Sequence, residues 1–369
     1  MAPAQRDDAS AVAREFALGG EVLSASPYGS GHINDTFLVR TTPGSGPTRF
    51  ILQRINQNVF RRPDELMANV ERVCAHAYAK LRAAGAPDAE RRTLRLIPTR
   101  HGRAWLGEGP ADRWRCYHFI DDATGHDVVR APEQAFAAAK AFGAFQSLLA
   151  DLPGGRLHET IPDFHHTPAR FARFRQALDV DAHGRAAAAG PEIAFALARA
   201  DEVAVVTDAL RDGRLPERVT HNDTKLNNVL LDDATQEGVC VIDLDTVMPG
   251  SVLYDFGDLV RTSTSPAAED ETDLSKVTMQ FPMFAALVRG YLESTRGFLT
   301  PAEKSLLPFA GKLITFEIGL RFLTDWLEGD TYFKVRRPGH NLDRTRTQFK
   351  LVASIESQLP AMQALVDRT

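Results

Sequence analysis

The chain has 369 residues, more than one typical hydrophobic core, so two lobes or domains are expected. Its formal net charge of −5 argues against a general nucleic-acid-binding role, which needs a basic surface. No apolar run reaches membrane-spanning length, and the N-terminus lacks the basic-then-apolar plan of a signal peptide. The three cysteines are scattered without metal-ligand spacing, and we expect a cytoplasmic protein.

The N-terminal third has the pattern of an antiparallel sheet with one long helix. Short apolar runs bounded by polar or turn-forming residues predict strands at 22–23, 37–39, 50–55, 94–97 and 114–120. A short amphipathic helix is predicted at 10–19, before the first strand. A longer helix is predicted at 63–84, because proline stands at its start and apolar residues recur at helical spacing.

Two glycines lie between the first two predicted strands. The backbone N–H groups of such a loop can lie over phosphates, so Gly29, Ser30 and Gly31 are candidate ATP-binding residues. The segment is not a Walker A loop, because no Gly-Lys-Ser/Thr follows, and it lacks the helix that follows a dinucleotide-binding fingerprint. Taken alone, Gly29-x-Gly31 is more often only a tight turn.

The strand predicted at 50–55 is the one that carries a phosphate-pairing lysine in protein kinases, where this lysine also meets a helix glutamate. Gln53 and Arg54 occupy the candidate positions here. Strand alternation lets only one of them face ATP. Gln53 is favoured because it would share the inner face of the strand with Ile51 and Ile55. Glu71 on the next helix is either the partner of this strand or a solvated charge.

The last predicted strand of this part ends in a polar break after residue 120, and helices dominate from there on. We expect the adenine of ATP against the backbone near this point, with Tyr117, Phe119 and Asp121 as candidate ATP-binding residues. The change in composition divides the chain into an N-terminal nucleotide-binding lobe, residues 1–121, and a C-terminal catalytic and substrate-binding lobe, residues 122–369.

The stretch 219–246 carries the strongest chemical signal. Its two apolar runs flank a polar, turn-forming segment and predict a β-hairpin. Antiparallel pairing then places Asn228 beside Asp243, with Asp223 on the loop before them. An amide oxygen and a carboxylate at one strand end suit a hard divalent cation bound to phosphates, so Asn228 and Asp243 are the candidate ligands for Mg²⁺.

The order His221-x-Asp223-x-x-x-x-Asn228 has the spacing of a protein-kinase catalytic loop. In that template the aspartate contacts the substrate hydroxyl and the asparagine binds Mg²⁺, so Asp223, Asn228 and Asp243 are the candidate catalytic residues. We expect His221 to brace the loop. The alternative interpretation is a solvated polar hairpin.

A second aspartate suggests a different assignment. Residues 255–257 spell the DFG motif of protein kinases, but they lie too far beyond Asn228 and no strand leads into them. We therefore assign the metal to Asp243, which directly follows an apolar strand. Asp255 is expected to be the N-cap of the following helix, with Asp258 as its acidic capping partner.

The C-terminal part is predicted to be mainly helical, with helices at 132–150, 192–210, 284–292 and 305–327 and others beginning near 256 and 344. Arg321 lies in mid-helix among apolar residues and needs partners, either Asp325 one turn on or the oxygens of a bound acceptor. The histidines at 158, 165 and 166 suggest a metal site, but no carboxylate or cysteine completes a recognised ligand set.

The catalytic stretch resembles the aminoglycoside phosphotransferase/choline kinase superfamily, whose members share a bilobal protein-kinase-like fold. Further segments, at 31–34, 50–56, 253–258, 319–323 and 332–342, resemble bacterial N-acetylhexosamine 1-kinases. The resemblance implies an α+β fold, with an N-terminal antiparallel sheet lobe bearing a helix and a larger, mostly helical lobe that carries the catalytic hairpin. It also implies that Asp223 is the base, that Asn228 and Asp243 hold Mg²⁺, and that Arg321 and His32 join Asp223 in the sugar site.

The implied reaction transfers the γ-phosphoryl group of ATP in line to the anomeric hydroxyl of N-acetylglucosamine or N-acetylgalactosamine. One alternative is a kinase of another small hydroxyl compound, such as homoserine, choline or an aminoglycoside. The other is a nucleotide-binding pseudokinase, which the missing strand lysine suggests. Intact Asp223, Asn228 and Asp243 speak against that second alternative.

Overall fold

The computed structural model describes residues 6–29, 33–44, 46–107 and 113–369. The chain forms an N-terminal antiparallel sheet followed by a larger, mostly helical part, which confirms the predicted α+β class. Within these described ranges, no helix combines the length and apolar character needed to cross a bilayer.

Four antiparallel strands form the N-terminal sheet in chain order. They are β1 (Val22–Pro27), β2 (Asp35–Thr41), β3 (Arg49–Arg54) and β4 (Trp114–His118). One face packs against helix α1 (Arg6–Ala13) through a core that includes Phe37, Phe50 and Trp114. Tyr117 of β4 belongs instead to the main core, which contains the long helix of this part.

That long helix, α2 (Pro63–Ala83), confirms the predicted segment. Proline at its first position fits there because the first N–H groups of a helix have no intrahelical partner. Leu66, Val70 and Val73 of the predicted apolar stripe are buried, and they join the N-terminal sheet to the helical part.

The helical part contains two small sheets and most of the helices. The strands β7 (Val229–Asp232) and β8 (Gly238–Val241) form the predicted hairpin, which is thereby confirmed, and β5 (Ala123–Gly125) extends it. The strands β6 (Arg218–Thr220) and β9 (Met248–Gly250) pair on either side of the hairpin in the chain. Since β5 pairs with β7, the chain has entered the helical part by residue 123, and a lobe boundary after residue 121 remains our proposal.

The helices of this part surround the hairpin. They are α3 (Pro132–Leu149), α4 (Thr167–Val180), α5 (Gly190–Leu197), α6 (Val205–Arg211), α7 (Val252–Ser263), α8 (Phe281–Thr295), α9 (Pro301–Ser305), α10 (Leu307–Leu327) and α11 (His340–Arg368). The main core lies between α3, α7, α8 and α10, and a second apolar cluster joins α4 and α5 to α10 and α11.

Four local predictions were wrong. The first helix lies at 6–13 and not at 10–19, and the segment 94–97 forms only an isolated bridge between Leu96 and Tyr117. The helix predicted at 192–210 is divided into α5 and α6, because a 3₁₀ turn intervenes at 200–202. Helix α7 begins before residue 256, with Ser251 as its N-cap.

Candidate active site

The catalytic loop is held in shape by His221. Its imidazole is buried against the rings of Phe142 and Phe145, and Nε2 lies 2.9 Å from the carbonyl oxygen of Ile242. The backbone N–H of Asp223 donates to His221 Nδ1 at 3.3 Å. One side chain therefore ties the loop to the end of β8, which confirms the bracing role predicted for His221.

Asp255 fixes the same loop from behind. It is fully buried, and its carboxylate accepts the backbone N–H groups of His221 at 2.9 Å and Asn222 at 2.6 Å. Gln146 donates to it at 2.6 Å. The predicted N-cap role is wrong, because Ser251 caps α7 and Asp255 lies inside the first turn. The role of Asp255 is structural nonetheless, since its oxygens are already occupied by loop donors.

Asp223 and Asn228 lie side by side at the start of the hairpin. The Asn228 amide group donates to the carbonyl oxygen of Asp223 at 2.8 Å and to its carboxylate at 3.2 Å. Because its Nδ2 is used in these bonds, the Oδ1 of Asn228 is the remaining acceptor of the side chain, and it forms no hydrogen bond among the described residues. Lys225 Nζ lies 3.1 Å from the Asp223 carboxylate.

Asp243 follows β8 at the neighbouring position. Val229 pairs with Val241, and the N–H of Ile242 donates to the Asn228 carbonyl oxygen at 2.9 Å. Asp243 therefore lies one residue beyond Ile242, which is opposite Asn228. Its backbone is left-handed, with φ 60°. The residue reaches solvent on one side. Desolvation on the others, and then the carboxylates of Asp245 and Asp223, raise the pKa of Asp243 to about 6.

This arrangement suits a divalent cation in its donor chemistry. Mg²⁺ in phosphoryl-transfer sites commonly takes one or two protein oxygens and completes its shell with phosphates and water. Asn228 Oδ1 and the Asp243 carboxylate are such a pair, and repulsion from neighbouring carboxylates favours a cation at Asp243. No cluster of three or more His, Cys, Asp or Glu side chains that could hold a metal occurs in the described part of the chain.

The two candidates for the lysine position face opposite sides of the sheet. Gln53 accepts two hydrogen bonds from Arg115 of β4, at 3.0 and 2.9 Å, and donates to Thr36 at 3.1 Å. Arg54 pairs with Asp35, through bonds of 2.9 and 2.6 Å. Gln53 thus lies on the side of the main core, as the sequence favoured.

Glu71 of α2 was the candidate partner of β3. Its side chain is exposed on α2 and forms no ion pair within the described ranges, which favours a solvated helix charge.

The glycine loop is described only in part. Gly29 is exposed and has φ +78°, a conformation that glycine adopts without strain. Ser30, Gly31 and His32 lie outside the described residues.

The three residues whose backbone is expected to face adenine differ in the accessibility of their side chains. Tyr117 is buried in the core and lies 5.3 Å below the Arg115 guanidinium, so its ring is not open to a ligand. Phe119 is half-buried, edge-on to Tyr28 at 5.8 Å. The exposed carboxylate of Asp121 is ion-paired with Arg49. These three positions remain predictions for the nucleotide site.

Arg321 of α10 lines a pocket, with Arg170, Arg173, Thr324, Tyr332 and Phe333 among its neighbours. Its guanidinium carbon lies 5.5–5.8 Å from three aromatic rings, and among the described residues it forms no ion pair or hydrogen bond. The expected alternative partner, Asp325, is buried and accepts the backbone N–H groups of residues 331–333. The i,i+4 ion pair is therefore not formed.

His165 connects this pocket to the catalytic loop. Its Nδ1 lies 2.8 Å from the buried carboxylate of Glu317, one turn before Arg321 on α10, and its Nε2 lies 3.0 Å from the Asn222 carbonyl oxygen. Burial lowers the pKa of His165, but Glu317 outweighs it and the net shift is upward. His166 instead caps α4, where its Nδ1 accepts the backbone N–H of Ala169 at 3.1 Å, so His165 and His166 both make structural contacts.

Sequence reasoning missed several residues of the site. Arg115, Asp245 and Asn34 form a polar group across the two parts of the chain, Arg170 lines the pocket of Arg321, and Glu317 lies one turn before Arg321 on α10. The usable signal was a charged residue inside an apolar stretch: Arg115 in a strand and Glu317 in an apolar helix.

The sheet over a helical part, with a braced loop bearing Asp223 and Asn228, defines the kinase-like class of phosphotransferases. The chain matches the model of the phosphotransferase enzyme family over residues 24–286 and belongs to that family. An aminoglycoside phosphotransferase from Alicyclobacillus acidocaldarius is similar in structure, with TM-score 0.60 and 14% identity over 100% of this chain and 98% of that one.

Two further solved structures are similar over nearly their whole lengths. A microcompartment-associated aminopropanol kinase has TM-score 0.56 and 17% identity, covering 96% of this chain and 98% of that chain. A choline kinase from Cryptosporidium parvum has TM-score 0.52 and 15% identity, covering 93% and 91%. Identities this low establish the shared fold, and the family makes the protein a small-molecule phosphotransferase.

Proposed function

We propose that the protein is an ATP- and Mg²⁺-dependent kinase that phosphorylates the anomeric hydroxyl of N-acetylhexosamines. The observation that carries the acceptor class is the pocket on α10, which Glu317 and His165 connect to the catalytic loop. In it the Arg321 guanidinium lies among aromatic rings without an ion-pair partner in the described part of the chain. Arginine and aromatic side chains suit an uncharged acceptor rich in oxygen atoms.

The charge of this pocket separates the candidate acceptors. Burial, and then repulsion by Arg321, lowers the pKa of Arg170, so two mutually repelling guanidinium groups border one site. The nearby acids are committed, since Glu328 binds Arg173 at 2.6 Å and Asp325 binds a backbone turn. A cationic acceptor such as choline calls for an aromatic and acidic cage. An uncharged sugar with an acetamido carbonyl needs hydrogen-bond donors instead, and arginine side chains supply them.

The choice of N-acetylhexosamine within the sugars rests on resemblance. The segments 319–323 and 332–342, which resemble bacterial N-acetylhexosamine 1-kinases, form the helix turn that carries Arg321 and the chain opposite it. His32 is assigned to the same acceptor on the resemblance alone.

In the proposed mechanism Asp223 orients the acceptor hydroxyl and takes its proton. An anomeric hydroxyl is more acidic than an ordinary alcohol, so alignment matters more than basicity. Asn228 fixes the Asp223 carboxylate at 3.2 Å, and His221 fixes its backbone. Bound Mg²⁺ would supply charge neutralisation at the phosphates, held by Asn228 and Asp243.

Lys225 supplies a second positive charge from the protein itself. Burial disfavours its charged form, but the Asp223 carboxylate outweighs this effect and the pKa of Lys225 is raised. An ammonium group beside the base can stabilise the equatorial oxygens of the transferred phosphoryl group. The product is the sugar 1-phosphate, with inversion at phosphorus and no phosphoenzyme.

The test is a screen of ADP formation with Mg-ATP over N-acetylglucosamine, N-acetylgalactosamine, glucose, choline, homoserine and an aminoglycoside. We expect turnover with the two acetamido sugars and none with their 1-O-methyl glycosides, in which the reacting hydroxyl is blocked. Phosphorus NMR of the product should show an anomeric phosphate. Turnover with choline or an aminoglycoside alone would overturn the acceptor assignment. Binding of Mg-ADP without turnover of any acceptor would favour the pseudokinase.

A further inference from the structure

The buried cation of the N-terminal sheet is Arg115 on β4. In the antiparallel register it is the cross-strand partner of Gln53, so the two side chains share a face of the sheet. Its side chain is 1% exposed. The sheet therefore carries a positive charge one strand away from the position where kinases place their lysine.

Arg115 is directed at an acid of the helical part. Its Nη1 forms an ion pair with Asp245, whose side chain is 3% exposed. Asn34 of the N-terminal part donates to the other carboxylate oxygen at 2.6 Å, and Thr160 donates to the Asp245 carbonyl oxygen at 3.0 Å. Both carboxylate oxygens of Asp245 are thus held by the part of the chain that carries the sheet.

The hydrogen bonds of Arg115 leave few of its N–H donors for a phosphate group. Its Nε and Nη2 both donate to Gln53, at 3.0 and 2.9 Å, and Nη1 is taken by Asp245. A guanidinium with these three nitrogens engaged and almost no exposed surface acts through its partners and not on the nucleotide. Its partner Asp245 is two residues from Asp243, and Asn34, which donates to the other carboxylate oxygen of Asp245, follows the glycine loop. The group therefore connects both ends of the proposed nucleotide site.

We propose that Arg115 is a positioning residue: its ion pair with Asp245 joins the N-terminal sheet to the catalytic hairpin and holds Asp243 in place for Mg-nucleotide binding. The pair takes over the joining role of the lysine–glutamate pair of kinases, but it connects the two parts of the chain directly. The proposal rests on the assignment of Asp243 to the metal in the proposed function.

The matched variants are Arg115→Met, Arg115→Lys, Asp245→Asn and the double variant Arg115→Met/Asp245→Asn. The control is Arg113→Met, because Arg113 is also buried beside β4 but pairs at 3.3 Å with Asp64 inside the N-terminal part. Mg-ADP affinity is measured by calorimetry, which needs no acceptor. Thermal melting, kcat and both KM values are measured in parallel.

We expect Arg115→Met and Asp245→Asn each to weaken Mg-ADP binding and lower kcat/KM for Mg-ATP by about 10- to 100-fold, as for residues that orient metal ligands. The KM for the acceptor should stay within about two-fold. Arg115→Lys should recover part of the loss, because it keeps the charge but not the two bonds to Gln53. Arg113→Met should bind Mg-ADP like the native protein.

The double variant separates positioning from mere neutralisation of a buried charge. It should melt near the native temperature yet keep the defect in Mg-ADP binding, since the neutral amide that replaces the Asp245 carboxylate is no longer drawn to the sheet by charge. Native Mg-ADP affinity in the double variant, or in a folded Arg115→Met, would overturn the proposal. If Arg115→Met does not fold, Arg115→Lys and Asp245→Asn decide, and native affinity in both would overturn it.

The outcome is independent of the acceptor. A native protein that binds Mg-ADP but phosphorylates no sugar would refute the proposed function and leave this test intact. Native Mg-ADP affinity in Asp243→Asn would remove the metal assignment and the positioning proposal with it.

Discussion

Asparagine substitutions at Asp255 and Asp243 should have opposite consequences. In Asp255→Asn, the buried side chain loses its charge while still facing three donors: two backbone N–H groups and the Gln146 amide. An amide there offers one oxygen, and its own NH₂ opposes at least one of the donors. Hydrogen bonds to charged groups contribute about 1.5–3 kcal/mol each, and an unsatisfied buried donor costs about 1–3 kcal/mol.

We therefore expect Asp255→Asn to lower the free energy of unfolding by about 2–4 kcal/mol. Asp243→Asn should leave it unchanged or raise it slightly, because Asp243 forms no ion pair or side-chain hydrogen bond among the described residues. Desolvation and the neighbouring carboxylates also disfavour its ionised form. Turnover should behave the other way. Asp243→Asn should abolish it through loss of the metal ligand, while folded Asp255→Asn should keep measurable activity at low temperature.

The assay is equilibrium denaturation in urea, with kinase activity measured on the same preparations. Asp233→Asn is the matched control, because Asp233 is exposed on the hairpin turn and outside the site. Equal stability of Asp255→Asn and the native protein, together with lost Mg-ADP binding, would refute the reasoning. It would mean that the DFG aspartate binds metal after all.

Three further outcomes are expected. Asp223→Ala should reduce kcat by about 10²–10⁴-fold with little change in Mg-ADP affinity, and a loss of nucleotide binding would contradict its role toward the acceptor. Arg321→Met should raise the acceptor KM at least about ten-fold, whereas Arg173→Met, whose native partner is Glu328, should change it less. The pKa of His165 is raised from 6.5 and that of Glu317 lowered from 4.5. Their pair should therefore stabilise the protein most between those values and less as pH rises through the folded pKa of His165, a slope that melts of His165→Gln should lack.

The local part of the site could be predicted from the sequence because its contacts are close along the chain. A hairpin determines its own register once the turn is recognised, so Asn228 and Asp243 could be placed together from two apolar runs. Helix α2 was recognisable for the same reason, since its buried stripe repeats every three or four residues.

Contacts between distant segments were not predictable in this way. Arg115 meets Asp245 across 130 positions, and no periodicity in either segment points to the other. The turn between α5 and α6 also has a distant contact that the sequence does not indicate, since Arg199 beside it donates to Glu356 of α11 at 2.6 Å. The segment 94–97 bonds to β4 at two points, where Ile97 N–H donates to the Cys116 carbonyl oxygen at 2.8 Å and His118 N–H to that of Arg95 at 3.1 Å. Pro98, which has no N–H to donate, comes next.

Charge around the hairpin is divided unequally between three carboxylates. Asp245 is neutralised by the buried Arg115, and Asp223 has Lys225 at 3.1 Å. Asp243 has no ion-pair partner in the described part of the chain, and its neighbours add negative charge to it. A divalent cation at Asp243 would therefore add the direct counter-charge that this carboxylate lacks, since Arg115 and Lys225 are paired with Asp245 and Asp223.

The pocket that we propose for the acceptor is bordered by positive charge. Arg321 and Arg170 border the pocket, and the acids beside it bind other groups. An acceptor with an ammonium group would meet repulsion from these arginines, whereas hydroxyl and amide oxygens can accept their N–H groups. If this pocket receives the acceptor, as we propose, its charge would select against an amine, and a sugar amide is therefore the acceptor to test first.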